Sequence, residues 1–523
     1  MMVRATLVVV SRAITCFAVA LGAVALDAAT PTAAAAQTPA AQTPAAAQPA
    51  AALPARADLE DGWTTLRPGG ETSCARGGEY VFHVRPGDPQ RVLVFLYGGG
   101  ACWDAESCAP GGAPWIHTLQ PTSHPAWLGG IFNFDEPANP FAGYDVVAVP
   151  YCTGDVFLGD RDTVYRTAGG DGAAGAAGAA GAAGSASDGG EFTIRHRGQT
   201  NALAVLAWVQ ANYAAPDRIV VAGSSAGSAG LPLYAHLLAR HYPAAQVVGI
   251  GDDAGSYGVA TQAVDLGVWG LPEALRRHPG WEGYERGLRI DATYVMAGRG
   301  VPNLRLYQID HAWDVVQRGF IELAGTPDPE LPSLIRANRD AIRRELPDFR
   351  AVTLGGFAHT TFIGPMFYRY RLPGGGTLRD WVAAAAAGED VPDVECDDGC
   401  IRHTLAHDDE DLAIVDRAIA LLSTPGAWNA HDPGGGCPAG AESWSLRCAV
   451  ARAIRDVSDR PPGGPGSSHA GGQEVLFEAA ERTGWPHPNA IIAYNNRAGA
   501  TAADMLALLE AVRQRVMAGP RVP

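Results

Sequence analysis

Residues 218–230 read Arg-Ile-Val-Val-Ala-Gly-Ser-Ser-Ala-Gly-Ser-Ala-Gly, an apolar run that breaks at Gly223-Ser224-Ser225-Ala226-Gly227 and then opens into a helix. Strand, G-x-S-x-G, helix is the pattern in which a serine occupies a turn too tight for a side chain at either glycine, with a helix N-terminus facing its hydroxyl. The pentapeptide alone carries little weight in a chain with 64 glycines. Its place between a buried strand and a helix carries more. A Ser/Gly-rich helix cap without chemistry is the plainer alternative.

Outward from this point, short apolar runs at 92–97, 145–151, 219–222, 246–250, 304–309 and 351–354 alternate with helical spacing, as at 201–213 and 231–242. The second of these helices tolerates Pro232 near its first turn. Near-continuous Val/Leu/Ile runs predict strands buried on both faces, hence an α/β chain with a mainly parallel sheet covered by helices. Chemistry in such sheets gathers where the strands end. After 92–97 come Gly98-Gly99-Gly100-Ala101-Cys102-Trp103. The backbone N–H groups of Gly99 and Gly100, with that of Ala226 after the serine, are the expected donors to an oxyanion. After 351–354 comes His359, the expected general base. His196, His241, His403 and His407 are placed less well. For the carboxylate that orients the base, Asp310 and Asp314 follow one strand and Asp252 and Asp253 follow another, and all four qualify. The expected set is a Ser225 nucleophile, a His359 base and Asp314 as the leading acid, with Asp310, Asp252 and Asp253 as its alternatives.

With these residues in view, the chain resembles the pectin acetylesterase and Notum-like carboxylesterase family. The resemblance rests on LYGGGACWDAESC (96–108), YCTGDVFLG (151–159), GSSAGSAG (223–230), DDAGS (252–256), AWDVVQ (312–317) and FAHTTF (357–362), spanning roughly residues 60 to 365. It implies an α/β-hydrolase fold, singles out Asp314 with Gln317 as the acid segment, and implies removal of acetyl groups from a cell-wall polysaccharide. Two departures stand out. Ala101 replaces the tryptophan that family members commonly carry before the loop cysteine, and residues 357–361 hold no cysteine beside the histidine.

Residues 1–25 read as an export signal: Arg4 and Arg12, an apolar stretch at 13–26, and Ala23-Val24-Ala25 as the cleavage pattern. The stretch is too short to span a bilayer, so no membrane association is expected after cleavage. Residues 26–58 form an Ala/Pro/Gln/Thr linker, and the Gly/Ala insert at 168–190 is expected as a loop within a hydrolase domain at 59–382. Residues 383–523 are left as a C-terminal helical extension, with a linker-like stretch at 459–472; a docked module, a glycan-binding unit and a lid are its three readings.

Besides Cys16 in the signal, eight cysteines remain. An even number in an exported chain favours disulfides, and local spacing suggests Cys102–Cys108, Cys396–Cys400 and Cys437–Cys448, leaving Cys74 with Cys152. Cys396, Cys400, His403 and His407 also resemble a zinc-ligand spacing, but oxidised cysteines cannot ligate, so neither metal nor cofactor is expected. The acidic run at 408–411 is read as a solvated helix start. A net charge of −16 argues against nucleic-acid binding.

The expected protein is a secreted or periplasmic serine carboxylesterase acting on an ester, with an acetylated glycan as the leading substrate. A lipase-like or polyester-depolymerising hydrolase is the rival within the class. A non-catalytic ligand-binding protein on the same fold is the rival outside it.

Overall fold

Valine- and leucine-rich runs without polar alternation need cover on both faces, and they have it: every residue from Val92 to Leu96 and from Tyr144 to Val149 is buried. The computed structural model describes residues 53–167, 190–258, 264–285, 287–396, 405–433, 437–438, 440–458, 473–483 and 490–521. The export-signal reading, residues 26–52 of the linker, the insert apart from Gly190, Cys400, His403 and the 459–472 stretch lie outside them.

Ten strands are described: β1 (Thr64–Leu66), β2 (Phe82–Arg85), β3 (Asp88–Leu96), β4 (Tyr144–Val149), β5 (Arg161–Arg166), β6 (Glu191–His196), β7 (Arg218–Ser224), β8 (Gln246–Asp252), β9 (Leu304–His311) and β10 (Arg350–Leu354). Eight form one sheet in the order β1-β2-β4-β3-β7-β8-β9-β10, parallel from β4 to β10, with β1 and β2 antiparallel at one edge. Helices flank it. This is the α/β-hydrolase architecture that the resemblance implies. β5 and β6 pair separately as an antiparallel ribbon, and the Gly/Ala insert falls between them.

Register brings the chemistry to one edge. Leu96 lies opposite Gly223, Ser224 opposite Asp252, and Leu354 opposite His311, so the loops leaving β3, β7, β8, β9 and β10 emerge side by side. Strand order reverses at β3, which pairs β4 on one side and β7 on the other, and a crevice is expected beyond such a reversal.

Several local expectations change. The helix after β7 starts at Ala226 and runs to His241, not from residue 231, so Pro232 sits inside it and not near its first turn. The AGSAG segment is a poor helix former by propensity, but the strand-to-helix packing overrides that weak preference. Residues 53–58, which composition assigns to the linker, are tied down: Arg56 pairs with buried Asp145 at 2.8 Å, and Trp208 Nε1 donates to Pro54 O at 3.0 Å. The boundary at 382/383 falls inside helix Leu378–Ala386, whose Leu378, Trp381 and Val382 pack into the main core.

Helices Asp409–Ser423, Leu446–Val457, Gln473–Arg482, Ala490–Asn496 and Ala502–Ala518 build a second core around residues such as Ile414, Val450 and Leu509. That core takes in Phe357 and packs Trp313 and Val315 against its side. The extension is therefore seated on the loops that follow β9 and β10. Asp408 caps the first of these helices, as the acidic run suggests, but Asp411 is buried and not solvated, because it accepts from His407.

His407 is wholly buried between Asp411 (3.2 Å) and Glu478 (3.3 Å). Burial alone would depress the imidazole, yet the hydrogen bonds to these two carboxylates outweigh it and raise the pKa to about 9. A histidine raised on folding stabilises fully below its unfolded pKa of about 6.5, and the benefit is lost as pH climbs through the folded value. His407→Gln is expected to flatten the fall in Tm between pH 6.5 and 9.5 relative to the parent protein. Parallel melting curves for the two proteins would contradict this.

Candidate active site

Ser225 follows the last residue of β7 and precedes the first residue of the helix, with φ 54° and ψ −118°. A serine held in this sparsely populated region is strained, and the packing around it explains why it stays there. A Cβ on Gly227 would lie 2.1 Å from Leu96 O, and one on Gly223 would lie 2.6 Å from the Gly227 carbonyl. Both flanking glycines are thus required by contact with backbone, which cannot move aside. Ser225 N–H donates to Asp252 O at 2.8 Å, fixing the elbow to the next strand.

The glycine loop after β3 comes equally close. A Cβ on Gly98 would stand 3.0 Å from Ser225 Cβ, and Gly100, at φ 72°, has Pro114 O where a Cβ would be. Among the described residues, no acceptor engages the N–H groups of Gly99, Gly100 or Ala226. The Cys102–Cys108 disulfide closes the far side of the loop, and Trp269 Nε1 donates to Cys102 O at 2.7 Å.

Ser225 lines a strongly apolar pocket together with Ala101, Trp103, Ala226, Leu266, Trp269 and Phe320. Trp103 and Phe320 approach each other with ring centroids 6.3 Å apart. No sequence motif marks this pocket, because its walls come from segments far apart in the chain.

His359 lies on the loop after β10, and its Nδ1 stands 2.6 Å from Asp314 Oδ2. Asp314 is buried and also caps helix Val315–Leu323, its Oδ1 accepting from Val316 N–H (2.8 Å) and Gln317 N–H (3.0 Å). Gln317 Nε2 donates to Oδ2 at 3.0 Å. The carboxylate therefore has no freedom to turn away from the imidazole. Burial alone would depress His359, but the Asp314 carboxylate first, then Asp253 and Asp252, outweigh it and raise the pKa to about 9.

The four candidate acids separate by their partners. Asp310 is buried against Arg339 at 2.9 Å and accepts from Gly255 N–H. Asp252 accepts from Ser224 Oγ (2.8 Å) and from Thr361 N–H and Phe362 N–H, so it ties the histidine loop to the serine elbow. Asp253 engages His311 and Thr360 N–H. Only Asp314 of the four hydrogen-bonds His359. Among the described residues no hydrogen bond joins Ser225 Oγ to His359; both are fastened to Asp252, one by its own N–H and the other through the residues that follow it.

The remaining histidines take other places. His196 is buried between Tyr165 OH and Thr153 O, and His407 is held between Asp411 and Glu478 of the C-terminal helices. The disulfides Cys74–Cys152, Cys102–Cys108 and Cys437–Cys448 form as the spacing suggests, and Cys396 is disulfide-bonded too. Sequence reasoning misses the anchoring roles of Asp252, Asp253 and His311. The doubled aspartate of DDAGS is the available signal, and in sequence it points only to a possible triad acid.

No curated protein matches the chain. The model of the pectinacetylesterase family matches residues 69–265, a span that holds the glycine loop, the Ser225 elbow and both residues of the Asp252-Asp253 pair, and that stops before Asp314 and His359. Over residues 69–265, on the strand ends described above, the chain is similar to the pectinacetylesterase family.

Proposed function

We propose that this protein is a serine carboxylesterase in which His359 withdraws the Ser225 proton, the Ser225 oxygen attacks an ester carbonyl, and Asp314 orients the imidazole and stabilises its charged form. N–H groups of Gly99, Gly100 and Ala226 receive the charge of the tetrahedral intermediate. The alcohol leaves with the proton held by His359, and water resolves the acyl-enzyme by the same steps in reverse order. The family match supports ester hydrolysis as the reaction class. The observation that carries the residue assignment is the 2.6 Å His359–Asp314 bond, on a loop fastened to the same aspartate as the strained Ser225 elbow. The hydrogen bond between serine and base often tightens only when substrate is bound.

A base at about 9 sets the sign of the pH dependence, since the reaction needs neutral imidazole. The ratio kcat/KM is expected to rise roughly tenfold per pH unit up to that value and then level off. A profile already flat between pH 6 and 8 would count against His359 as the base.

Deacetylation of a polysaccharide is the leading substrate reading, supported by the family. The apolar pocket favours a second, in which the acyl group is longer than acetyl. One buried CH₂ is worth about 0.8 kcal/mol, so kcat/KM on p-nitrophenyl esters should rise about threefold to fourfold per added methylene while the pocket still fills. Acetate as the best acyl group, with release of acetate from acetylated glycan, supports the deacetylase; an optimum at longer chains supports the lipase-like alternative. Action outside the cytoplasm is part of the proposal. It is supported by the disulfides and the signal-like N-terminus. Among the described residues no helix is long and apolar enough to cross a membrane.

A further inference from the structure

Behind the His359–Asp314 pair stands a second histidine–aspartate pair. Asp253 follows β8 with φ 59°, uncommon for a residue other than glycine. Its Oδ2 accepts from Thr360 N–H (2.6 Å) and faces His311 Nδ1 (2.7 Å), and its Oδ1 accepts from His311 N–H (2.6 Å). His311 is wholly buried, and its Nε2 meets Tyr370 OH at 2.8 Å. Tyr370 in turn bridges to Leu405, at the entry to the C-terminal helices. One ligating atom from each of Asp253, Asp314 and His359 lies within 4.8 Å of the others. Three donors converge on one carboxylate, and one of them is the backbone of the residue next to the proposed base.

We propose that Asp253, held by His311, is a positioning residue for the reaction: its carboxylate fixes the backbone at Thr360 and so places the His359 ring, with the Asp253 and Asp314 carboxylates both beside it. This rests on the serine-esterase reading above. Thr360, at φ 63°, is in the left-handed region where a residue other than glycine is strained, so the turn at the base needs an external tether. The Asp253 carboxylate is that tether. The charged and titratable groups gathered on the base and the pair behind it are Asp252, Asp253, Asp314, His311 and His359, with Tyr257 and Tyr370 at the sides and Asp310, matched by Arg339, beyond. Burial opposes a charge on His311, and the Asp253 carboxylate is the first influence that raises it.

The test uses the full-length protein and p-nitrophenyl ester hydrolysis between pH 5.5 and 10, with Ser225→Ala as the reference. Asp253→Asn removes the charge and puts an amide where an N–H needs an acceptor. The midpoint of its kcat/KM profile should fall by at least about 0.5 unit, a threefold gain at low pH relative to its own plateau, while kcat on the plateau drops about tenfold and KM stays within twofold. His311→Leu should lose about tenfold in kcat, whereas His311→Asn, whose amide can replace the Nδ1–H donor, should stay within about threefold. If Asp253→Asn does not fold, the two His311 variants carry the comparison. A profile for Asp253→Asn that superimposes on the parent's, a loss expressed in KM, or equal losses for the two His311 variants would overturn the proposal and leave the esterase reading intact. If Ser225→Ala hydrolyses as fast as the parent, the esterase reading falls and this inference with it.

Discussion

Ser225→Ala is expected to lower kcat for p-nitrophenyl acetate by about 10⁶-fold while leaving Tm unchanged within a degree or two. The magnitude follows from the kind of step removed: without the hydroxyl no acyl-enzyme forms, and only the donors and the pocket remain to act on a water-driven reaction. Alanine retains the Cβ and backbone of serine at φ 54°, so the strain of the elbow, the N–H bond to Asp252 O and the contacts of Gly223 and Gly227 are untouched. Covalent labelling by a fluorophosphonate should disappear in the variant and appear at Ser225 in the parent. Hydrolysis within tenfold of the parent rate would remove Ser225 from the mechanism.

Asp314→Asn is expected to cost about 10⁴ in kcat, with KM little changed. Its mechanism can be read from the hydrogen bonds. The oxygen that caps helix Val315–Leu323 accepts two backbone N–H groups, so an asparagine keeps its carbonyl oxygen there and turns its amide toward His359 Nδ1. That nitrogen must then accept, which puts the ring proton on Nε2, where the serine's proton should go. Asparagine is a good N-cap, so the helix should persist and the loss should be catalytic, not structural. Because Asp314 is the first of the influences that raise His359, the residual activity should also titrate at lower pH than in the parent. A variant within tenfold of the parent, or one with an unshifted profile, would return the acid's role to Asp310, Asp252 or Asp253.

The tight turn at Ser225 and the place of His359 on the loop after the last strand are legible in the sequence by itself, and for local reasons. A tight turn between a buried strand and a helix writes itself into the chain as glycines at fixed spacing, since only there does a Cβ strike backbone. Parallel strands buried on both faces write themselves as unbroken apolar runs. His359 can be found because it follows the last such run. Disulfide pairing follows from short separations in sequence and from what remains for Cys74 and Cys152.

What tertiary structure decided has no local signature. By residue type and place at or just past a strand end Asp252, Asp253, Asp310 and Asp314 are alike, and in the sequence only the AWDVVQ resemblance sets Asp314 apart; the partner each one takes comes from Arg339, Thr361, His311 and His359, which arrive from distant segments. The same holds for the apolar pocket beside Ser225 and for the seat of the C-terminal helices on Phe357, Trp313 and Val315. Periodicity and glycine spacing report forces between near neighbours along the chain; which carboxylate meets which donor across the sheet's edge depends on strand order and register, fixed only when the whole core packs.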